Sequence, residues 1–176
     1  MIRKAVFSDI DSVVGIYDAL HDKEEKGEIS IGWIRGVYPT RITAMNALER
    51  EDLFVYEEDG VVLGAGIINQ IQVDVYRNAP WNYNVADEQV CVLHTLVISP
   101  LASERGIGKQ FVKFYETYAG NHYCIELRMD TNERNHVARS MYCNLGYKEI
   151  AVVSTIFNGI PDVNLVLLEK HLDDDV

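Results

Sequence analysis

The spacing of hydrophobic residues changes between two periods along the chain, and these changes divide it into strands and helices. Short apolar runs predict strands over 2–6, 53–56, 61–71, 90–98, 123–129, 148–155 and 164–170. Apolar residues three and four positions apart predict helices over about 8–26, 40–48, 108–119 and 135–145. The resulting order is β-α-α-β-β-β-α-β-α-β-β, which mixes hairpins with two right-handed crossover units. We therefore expect an α/β fold, a single domain with a central mixed twisted sheet of about seven strands flanked by about four helices.

Polar residues and glycines mark several of the predicted element ends. Ser8 is a candidate N-cap for the first helix, with Asp11 in a capping-box position, and Thr40 is a candidate N-cap for the second. Asp59-Gly60 is typical of a tight hairpin turn. Gly146 is expected to end the last helix in a left-handed conformation.

The composition is that of one globular domain. The chain has 176 residues, of which 48% are apolar and 24% charged. We assign residues 1–172 to the domain and 173–176 to a short acidic tail. No run approaches the ~20 apolar residues of a membrane span, and the start lacks the apolar segment of a secretory signal. A cytoplasmic location is the expectation.

Charge and cysteine content exclude several classes of partner. A net charge of -11 disfavours binding to nucleic acid or to an anionic membrane, and it attracts cations such as amines. The three cysteines, Cys91, Cys124 and Cys143, have no C-x-x-C spacing. We therefore expect buried free thiols, with neither a disulfide framework nor a metal site.

A glycine-containing turn joins the most apolar strand to the third helix. The segment 100–109 reads PLASERGIGK. Unpaired N–H groups at a helix start favour a phosphate, and glycine lets it approach the backbone closely. The alternative is an ordinary turn that uses glycine for packing. Neither the G-x-G-x-x-G dinucleotide pattern nor the G-x-x-x-x-G-K-[ST] nucleotide pattern is present.

A second block, 135–147, reads NHVARSMYCNLGY and has the form N-x-x-A-x-x-M-Y-x-x-L-G-Y. Together with the apolar strand, Pro100 and the glycine turn, this block resembles the GNAT superfamily of N-acetyltransferases. The resemblance covers most of the chain and implies an acetyl-CoA-dependent N-acetyltransferase. The acetyl group would pass directly to a primary amine in a ternary complex. Ser103 and Glu104 depart from the family's loop, where Arg or Gln and Gly are usual.

The resemblance implies where the cofactor lies. The pantetheine arm would run between two diverging strands, 93–98 and 124–129, bonded to backbone near Leu96, Val97 and Ile98. The side chain of Asn135 would touch the same arm. The pyrophosphate would meet the loop and helix start formed by Ser103, Glu104, Arg105, Gly106, Ile107, Gly108 and Lys109.

The resemblance also points to two catalytic candidates. Tyr142 would protonate the thiolate leaving group, or else its ring would simply pack on the sheet. His94, in a stretch similar to the H-x-L-x-V strand of the arylalkylamine acetyltransferase branch, would act as base, and a structural histidine is the alternative. By strand alternation, His94 is expected on the same side as Val92, Leu96 and Ile98. Other family members place Glu at the position of Val92, which is apolar here, and Glu88 or Glu28 could supply that charge instead.

Two aromatic loops, 28–41 and 74–87, are the candidate acceptor site. Trp33, Tyr38 and Trp81 would line an apolar wall, and Arg35 with Arg41 would hold a carboxylate or phosphate. Arginines facing the cleft would favour an amino-acid-like acceptor. The alternative is that these aromatic side chains only pin long loops to the core.

Other functions of the same fold stay open at the level of sequence. One is a non-catalytic acyl-CoA-binding regulator, and another is an acetyltransferase of protein N-termini or lysines. A small-molecule amine or amino-acid-like acceptor is preferred, and pairing of sheet edges would allow a homodimer.

Overall fold

The computed structural model describes residues 1–172, so the acidic tail assigned to 173–176 lies outside the described residues. Its strands are β1 Ile2–Lys4, β2 Leu53–Glu58, β3 Val61–Asn69, β4 Val90–Ile98, β5 Glu126–Asn132, β6 Lys148–Phe157 and β7 Ile160–His171. Its main helices are α1 Ile10–Glu25, α2 Arg41–Glu49, α3 Ile107–Asn121 and α4 His136–Asn144. The single domain, the seven-stranded mixed sheet and the four helices confirm the predicted fold class.

The sheet has the strand order β1-β2-β3-β4-β5-β7-β6. The β4–β5 pair is parallel, and the other neighbouring pairs are antiparallel. Helix α3 connects β4 to β5, as a parallel pair requires. The two central strands therefore point the same way and end at the same edge, where functional sites of α/β sheets commonly lie.

Apolar side chains cover both faces of the sheet. Helices α3 and α4 pack on one face through side chains such as Phe111, Tyr115 and Tyr142. Helices α1 and α2 cover the first half of the other face. The loop between β3 and β4 covers the remaining half, with Tyr76 fully buried against β4 and β7. This loop is thus part of the core, as the packing alternative for its aromatic residues requires.

A bulge in β4 changes which side chains share a face. Gly66 of β3 lies opposite two residues, Thr95 and Leu96, and Thr95 has a φ of 50°. The extra residue reverses the alternation, so Leu96 and Ile98 pack on the α3 side of the sheet. His94 instead contacts Asn69 on the α1 side. The prediction that His94 shares a face with Leu96 and Ile98 is therefore wrong.

Most predicted end signals agree with the structure, and Ser8 does not. Thr40 precedes α2, and Gly146 follows α4 with a φ of 90°. Helix α1 begins only at Ile10, after a single 3₁₀ turn that contains Ser8. The Asp9 carboxylate, which is bound by Arg3, accepts the N–H of Val6 at 2.8 Å and takes the capping role.

Two further expectations concern cysteines and membrane spans. Cys91 and Cys124 are buried free thiols as predicted, whereas Cys143 is exposed on α4. Within residues 1–172, no helix has the length and apolar character needed to cross a bilayer.

Candidate active site

A cleft of about 1080 Å³ opens where β4 and β5 separate. The strands pair from Val90 opposite Glu126 to Leu93 opposite Met129, and no pairing continues beyond that point. The cleft therefore passes between the strands and has walls on both faces of the sheet. Its volume is large enough to hold two substrates side by side.

The wall nearest α4 presents backbone groups without a strand partner. Past Leu93, the β5-facing edge of 96–98 is unpaired, and all three residues line the cleft. Asn135 also lines it, and its Oδ1 accepts the N–H of Ala138 at 3.2 Å, which caps α4. This leaves the Asn135 amide nitrogen to face a ligand. An extended amide-containing chain would fit this edge as an added strand does.

The glycine turn leaves the start of α3 accessible. Gly106 is the N-cap of α3 in a left-handed conformation with a φ of 74°, and Ser103, Glu104 and Lys109 are exposed beside it. The first N–H groups of α3 are therefore open to an anion. The start of α3 thus offers backbone donors at the place where the resemblance implies the pyrophosphate.

The side chains or Cα positions of three other residues of the turn make contacts within the protein. A Cβ on Gly108 would lie 3.0 Å from Met141 Sδ, so this glycine allows α3 and α4 to pack closely. The Ile107 side chain is buried in the core, which leaves only its backbone for a ligand. Arg105 is exposed and forms an ion pair with Glu58.

Tyr142 reaches the cleft from α4 and is 6% exposed. Burial, and next the nearby Asp130 carboxylate, raise the pKa of Tyr142 above its usual range. The hydroxyl therefore stays protonated at neutral pH. Within residues 1–172 it has no hydrogen-bond partner that would divert it from a ligand. It is placed to donate a hydrogen bond to a group bound in the cleft.

His94 lines the opposite side of the opening and is held by Asn69. Its Nε2 lies 3.0 Å from Asn69 Oδ1, while Asn69 Nδ2 donates to Asp52 at 2.8 Å. Because the amide nitrogen is used by Asp52, Asn69 presents its oxygen, and His94 Nε2 carries the proton. Burial lowers the pKa of His94 to about 4. At pH 7 the imidazole is neutral and a weak base.

Asp130 is a candidate residue that the sequence did not reveal. It follows Met129, the last β5 residue paired with β4, and it lines the cleft. Its Oδ2 accepts a hydrogen bond from Tyr76 Oη at 2.7 Å. Burial raises its pKa to about 6 despite this hydrogen bond. A usable signal was the carboxylate placed one residue after an apolar strand, at the end where the central strands diverge.

Of the five candidate acceptor residues, Trp33, Tyr38 and Arg41 line the cleft. Trp33 and Tyr38 line it and pack edge to face, with ring centroids 5.9 Å apart. The Tyr38 hydroxyl is hydrogen-bonded to Thr95 Oγ1 in the β4 bulge. The loop between α1 and α2 therefore forms an aromatic wall beside the point where the strands separate.

Arg35 and Trp81 lie elsewhere. Arg35 is on the surface and pairs with three α1 carboxylates, Asp18, Asp22 and Glu25. Trp81 lines a separate pocket, where its ring stacks under the Arg128 guanidinium at 4.2 Å and its Nε1 donates to Tyr76 O. Their placement gives no support to a role in binding the acceptor.

The other charged candidates are engaged or distant. Arg41 and Arg50 line the cleft, but they pair with Asp11 and Asp52. Glu28 pairs with Lys23 at the surface, Glu88 is exposed at the end of the β3–β4 loop, and neither lines the cleft. Among the cleft-lining residues of the described chain, Asp130 is the sole carboxylic acid.

Comparison with solved structures finds the same fold over nearly the whole chain. An acetyltransferase of the GNAT family from Streptococcus agalactiae is 21% identical, with a TM-score of 0.79 over 99% of this chain and 96% of that chain. A ribosomal-protein-alanine N-acetyltransferase from Brucella melitensis is 16% identical, with a TM-score of 0.71 over 98% and 99%. The yncA protein from Salmonella typhimurium, solved with its cofactor acetyl-CoA, is 15% identical, with a TM-score of 0.71 over 100% and 95%.

Sequence comparison gives the family directly. No curated protein sequence matches the chain significantly. A sequence model of the acetyltransferase (GNAT) family matches residues 16–147, which include β4, the glycine turn and α4. The chain belongs to the acetyltransferase (GNAT) family, whose enzymes take an acetyl group from acetyl-CoA.

Proposed function

We propose that the protein transfers acetyl from acetyl-CoA to the primary amine of a small molecule, with both substrates bound at once. The cleft between β4 and β5 carries this proposal, because it joins a wall suited to the cofactor with a wall suited to an acceptor. Tyr142 lies on the first wall, and His94 with Asp130 lies at the opening. Direct transfer needs such a shared opening, since both reacting groups must meet there.

Acetyl-CoA fits the groups that the structure leaves free. The unpaired edge of Leu96–Ile98 and the Asn135 amide nitrogen would hold its pantetheine amides. The open start of α3 at Gly106 would hold its pyrophosphate, with exposed Lys109 nearby. The bound cofactor supplies an activated thioester. Tyr142 would donate a hydrogen bond to the departing sulfur.

A contact across the acceptor side favours a small molecule over a peptide. Tyr38, in the loop between α1 and α2, packs edge to face on Phe157 at the end of β6, with ring centroids 5.2 Å apart. Both rings line the cleft, so the contact joins the α1–α2 loop to the end of β6 on the acceptor side. An extended peptide needs an open groove to pass through, and this contact closes it. The exposed edge of β6 remains where we expect a second copy of the chain to pair.

Release of free thiol from acetyl-CoA tests the function. The panel is phenethylamine, spermidine, L-lysine, L-methionine and the tripeptide Ala-Ala-Ala, each offered at the same concentration. We expect release with at least one small amine and none above background with the tripeptide. Release with the tripeptide alone would replace the small-molecule acceptor by a peptide. No release with any amine would remove the proposed function.

A matched pair of variants tests the acceptor wall. Trp33→Ala should raise the acceptor KM about tenfold, since an aromatic contact contributes roughly 1.4 kcal/mol. Arg35→Ala should leave that KM within about twofold, because Arg35 pairs only with surface carboxylates of α1. Steady-state kinetics at saturating acetyl-CoA measure both. An effect of Arg35→Ala equal to that of Trp33→Ala would refute this assignment of the wall.

A further inference from the structure

We propose that Asp130 binds the ammonium group of the acceptor and takes its proton, which makes the acceptor a cationic amine with an apolar body. This inference rests on the proposed function and names the residue and the substrate class that complete it. The two residues have different roles: Asp130 binds the amine, and Tyr142 donates a hydrogen bond to the sulfur.

The position of Asp130 follows from the register of the sheet. Leu93 and Met129 form the last β4–β5 pair, so His94 and Asp130 are the first residues on the two diverging strands. Asp130 still pairs with Leu167 of β7, which fixes its backbone at the apex of the cleft. A carboxylate fixed at this apex lies beside both walls, where the amine and the acetyl group would have to meet.

The hydrogen bonding of Asp130 leaves room for a cation. Its Oδ2 receives Tyr76 Oη, and the β3–β4 loop holds Tyr76 fully buried. Within residues 1–172 no arginine, lysine or histidine forms an ion pair with Asp130. A partly buried carboxylate with one donor is poorly compensated, and an ammonium ion from solution would stabilise it.

The titratable groups around Asp130 carry no charge at pH 7. Burial, and to a smaller extent the Asp130 charge, raise the pKa values of Tyr76 from the loop, Tyr142 from α4 and Tyr38 from the α1–α2 loop. On β4, His94 is neutral at pH 7, and β7 presents only Leu167 directly opposite. Burial raises the pKa of Asp130 to about 6, so it is ionised at pH 7 yet basic enough to accept a proton.

The remaining cleft surface defines the rest of the acceptor. Trp33, Tyr38 and Phe157 provide aromatic walls on the acceptor side. The two arginines that line the cleft are paired with Asp11 and Asp52, so an acidic group on the acceptor has no free cation to bind. Asp130 is the sole carboxylic acid among the described lining residues. An amine carried on an apolar or aromatic body matches this arrangement.

The proton transfers balance as follows. Asp130 takes one proton from the ammonium group, and the neutral amine forms a C–N bond to the acetyl carbon. The C–S bond breaks, and its electron pair leaves on sulfur. The Tyr142 hydroxyl passes a proton to this sulfur and receives the second proton of the nitrogen. The products are the amide and the free thiol, and Asp130 then releases its proton to solvent.

Asp130→Asn tests this role with two acceptors of the same size. Phenethylamine is mostly protonated at pH 7.5, whereas O-benzylhydroxylamine is already neutral. With phenethylamine, kcat/KM of the wild type should rise with pH and level off above about pH 6. The variant should be about 100-fold slower at pH 7.5, and its rate should keep rising with pH. With O-benzylhydroxylamine, the two proteins should differ by less than about threefold, since no proton has to leave the nitrogen before it attacks the acetyl carbon.

The controls separate this inference from folding and from the proposed function. Asp130→Asn removes a partly buried charge that has no cationic partner within residues 1–172, so the melting temperature should not fall, and the coenzyme A affinity should match that of the wild type. Tyr76→Phe removes the one hydrogen-bond donor to the Asp130 carboxylate, which should raise the pKa of Asp130. The rise of kcat/KM with pH should therefore move to higher pH. An unchanged pH profile in Asp130→Asn, or equal losses with both acceptors, overturns the inference. So does a wild type that acetylates other panel amines but not phenethylamine. No thiol release with any amine overturns the proposed function itself.

Discussion

Replacing Tyr142 with phenylalanine should lower kcat about tenfold or more while changing coenzyme A affinity by less than about threefold. The hydroxyl is the part of Tyr142 offered to the cleft, and the ring is buried in the core under α4. Removing the hydroxyl alone keeps the packing and leaves the sulfur without its donor. Pre-steady-state thiol release and calorimetric titration with coenzyme A measure the two quantities.

Tyr147→Phe is the matched control for that variant. Tyr147 packs 6.1 Å from Tyr142 between ring centroids, is equally buried, and does not line the cleft. Its loss of a hydroxyl should leave kcat within about twofold. Equal kcat in Tyr142→Phe and wild type would exclude Tyr142 as the proton donor.

Replacing Arg128 with methionine should lower the free energy of unfolding by about 3–5 kcal/mol at pH 7.5. Arg128 lies on β5 near Glu126 and Glu169, and these three side chains are 6%, 0% and 1% exposed. Its guanidinium donates to Gln72 Oε1 at 2.6 Å and to Tyr83 O at 3.3 Å, which fastens the β3–β4 loop to the sheet. Methionine keeps the volume but removes the guanidinium from beside the two buried carboxylates, of which Glu126 then keeps the His171 ring and Glu169 the Asn82 N–H.

The pH dependence and a surface control sharpen this prediction. Burial already raises the pKa of Glu126, and loss of Arg128 should raise it further. A carboxyl group whose pKa is higher in the folded protein than in the unfolded chain lowers stability at pH values above the unfolded pKa. The loss of unfolding free energy in Arg128→Met should therefore shrink as the pH falls toward 5. Arg139→Met breaks a pair with Glu149 at the surface and should cost less than about 1 kcal/mol. Urea unfolding at pH 5 and 7.5 compares them, and equal costs for the two variants would contradict the argument.

The sequence predicts the parts of this protein that depend on local pattern. The bounds of β4 agree because its apolar residues, interrupted only by His94 and Thr95, are buried or half-buried and end just before Pro100. The α4 block is also predicted, because Asn135 and Gly146 cap its ends by local hydrogen bonding and backbone conformation. Family resemblance then locates the cofactor edge, since these two elements build it.

The features that the sequence does not predict depend on distant parts of the chain. The bulge at Thr95 arises from pairing with Gly66, and no glycine in β4 marks it. The strand β5 continues past Met129 because β7 pairs with it there, which brings Asp130 into the sheet. A high local density of aromatic residues and arginines does not predict which way the side chains of Arg35 and Trp81 point. Three acidic residues of α1 and the Arg128 guanidinium decide where those two side chains lie.

A crystal structure with coenzyme A tests the central claim most directly. We predict pantetheine amides hydrogen-bonded to the backbone of Leu96–Ile98, the pyrophosphate at the start of α3 near Gly106, and the sulfur within hydrogen-bonding distance of the Tyr142 hydroxyl. The sulfur would then lie at the apex where β4 and β5 separate, beside Asp130. Coenzyme A bound outside this cleft, or with its sulfur directed away from Tyr142 and Asp130, would contradict the account.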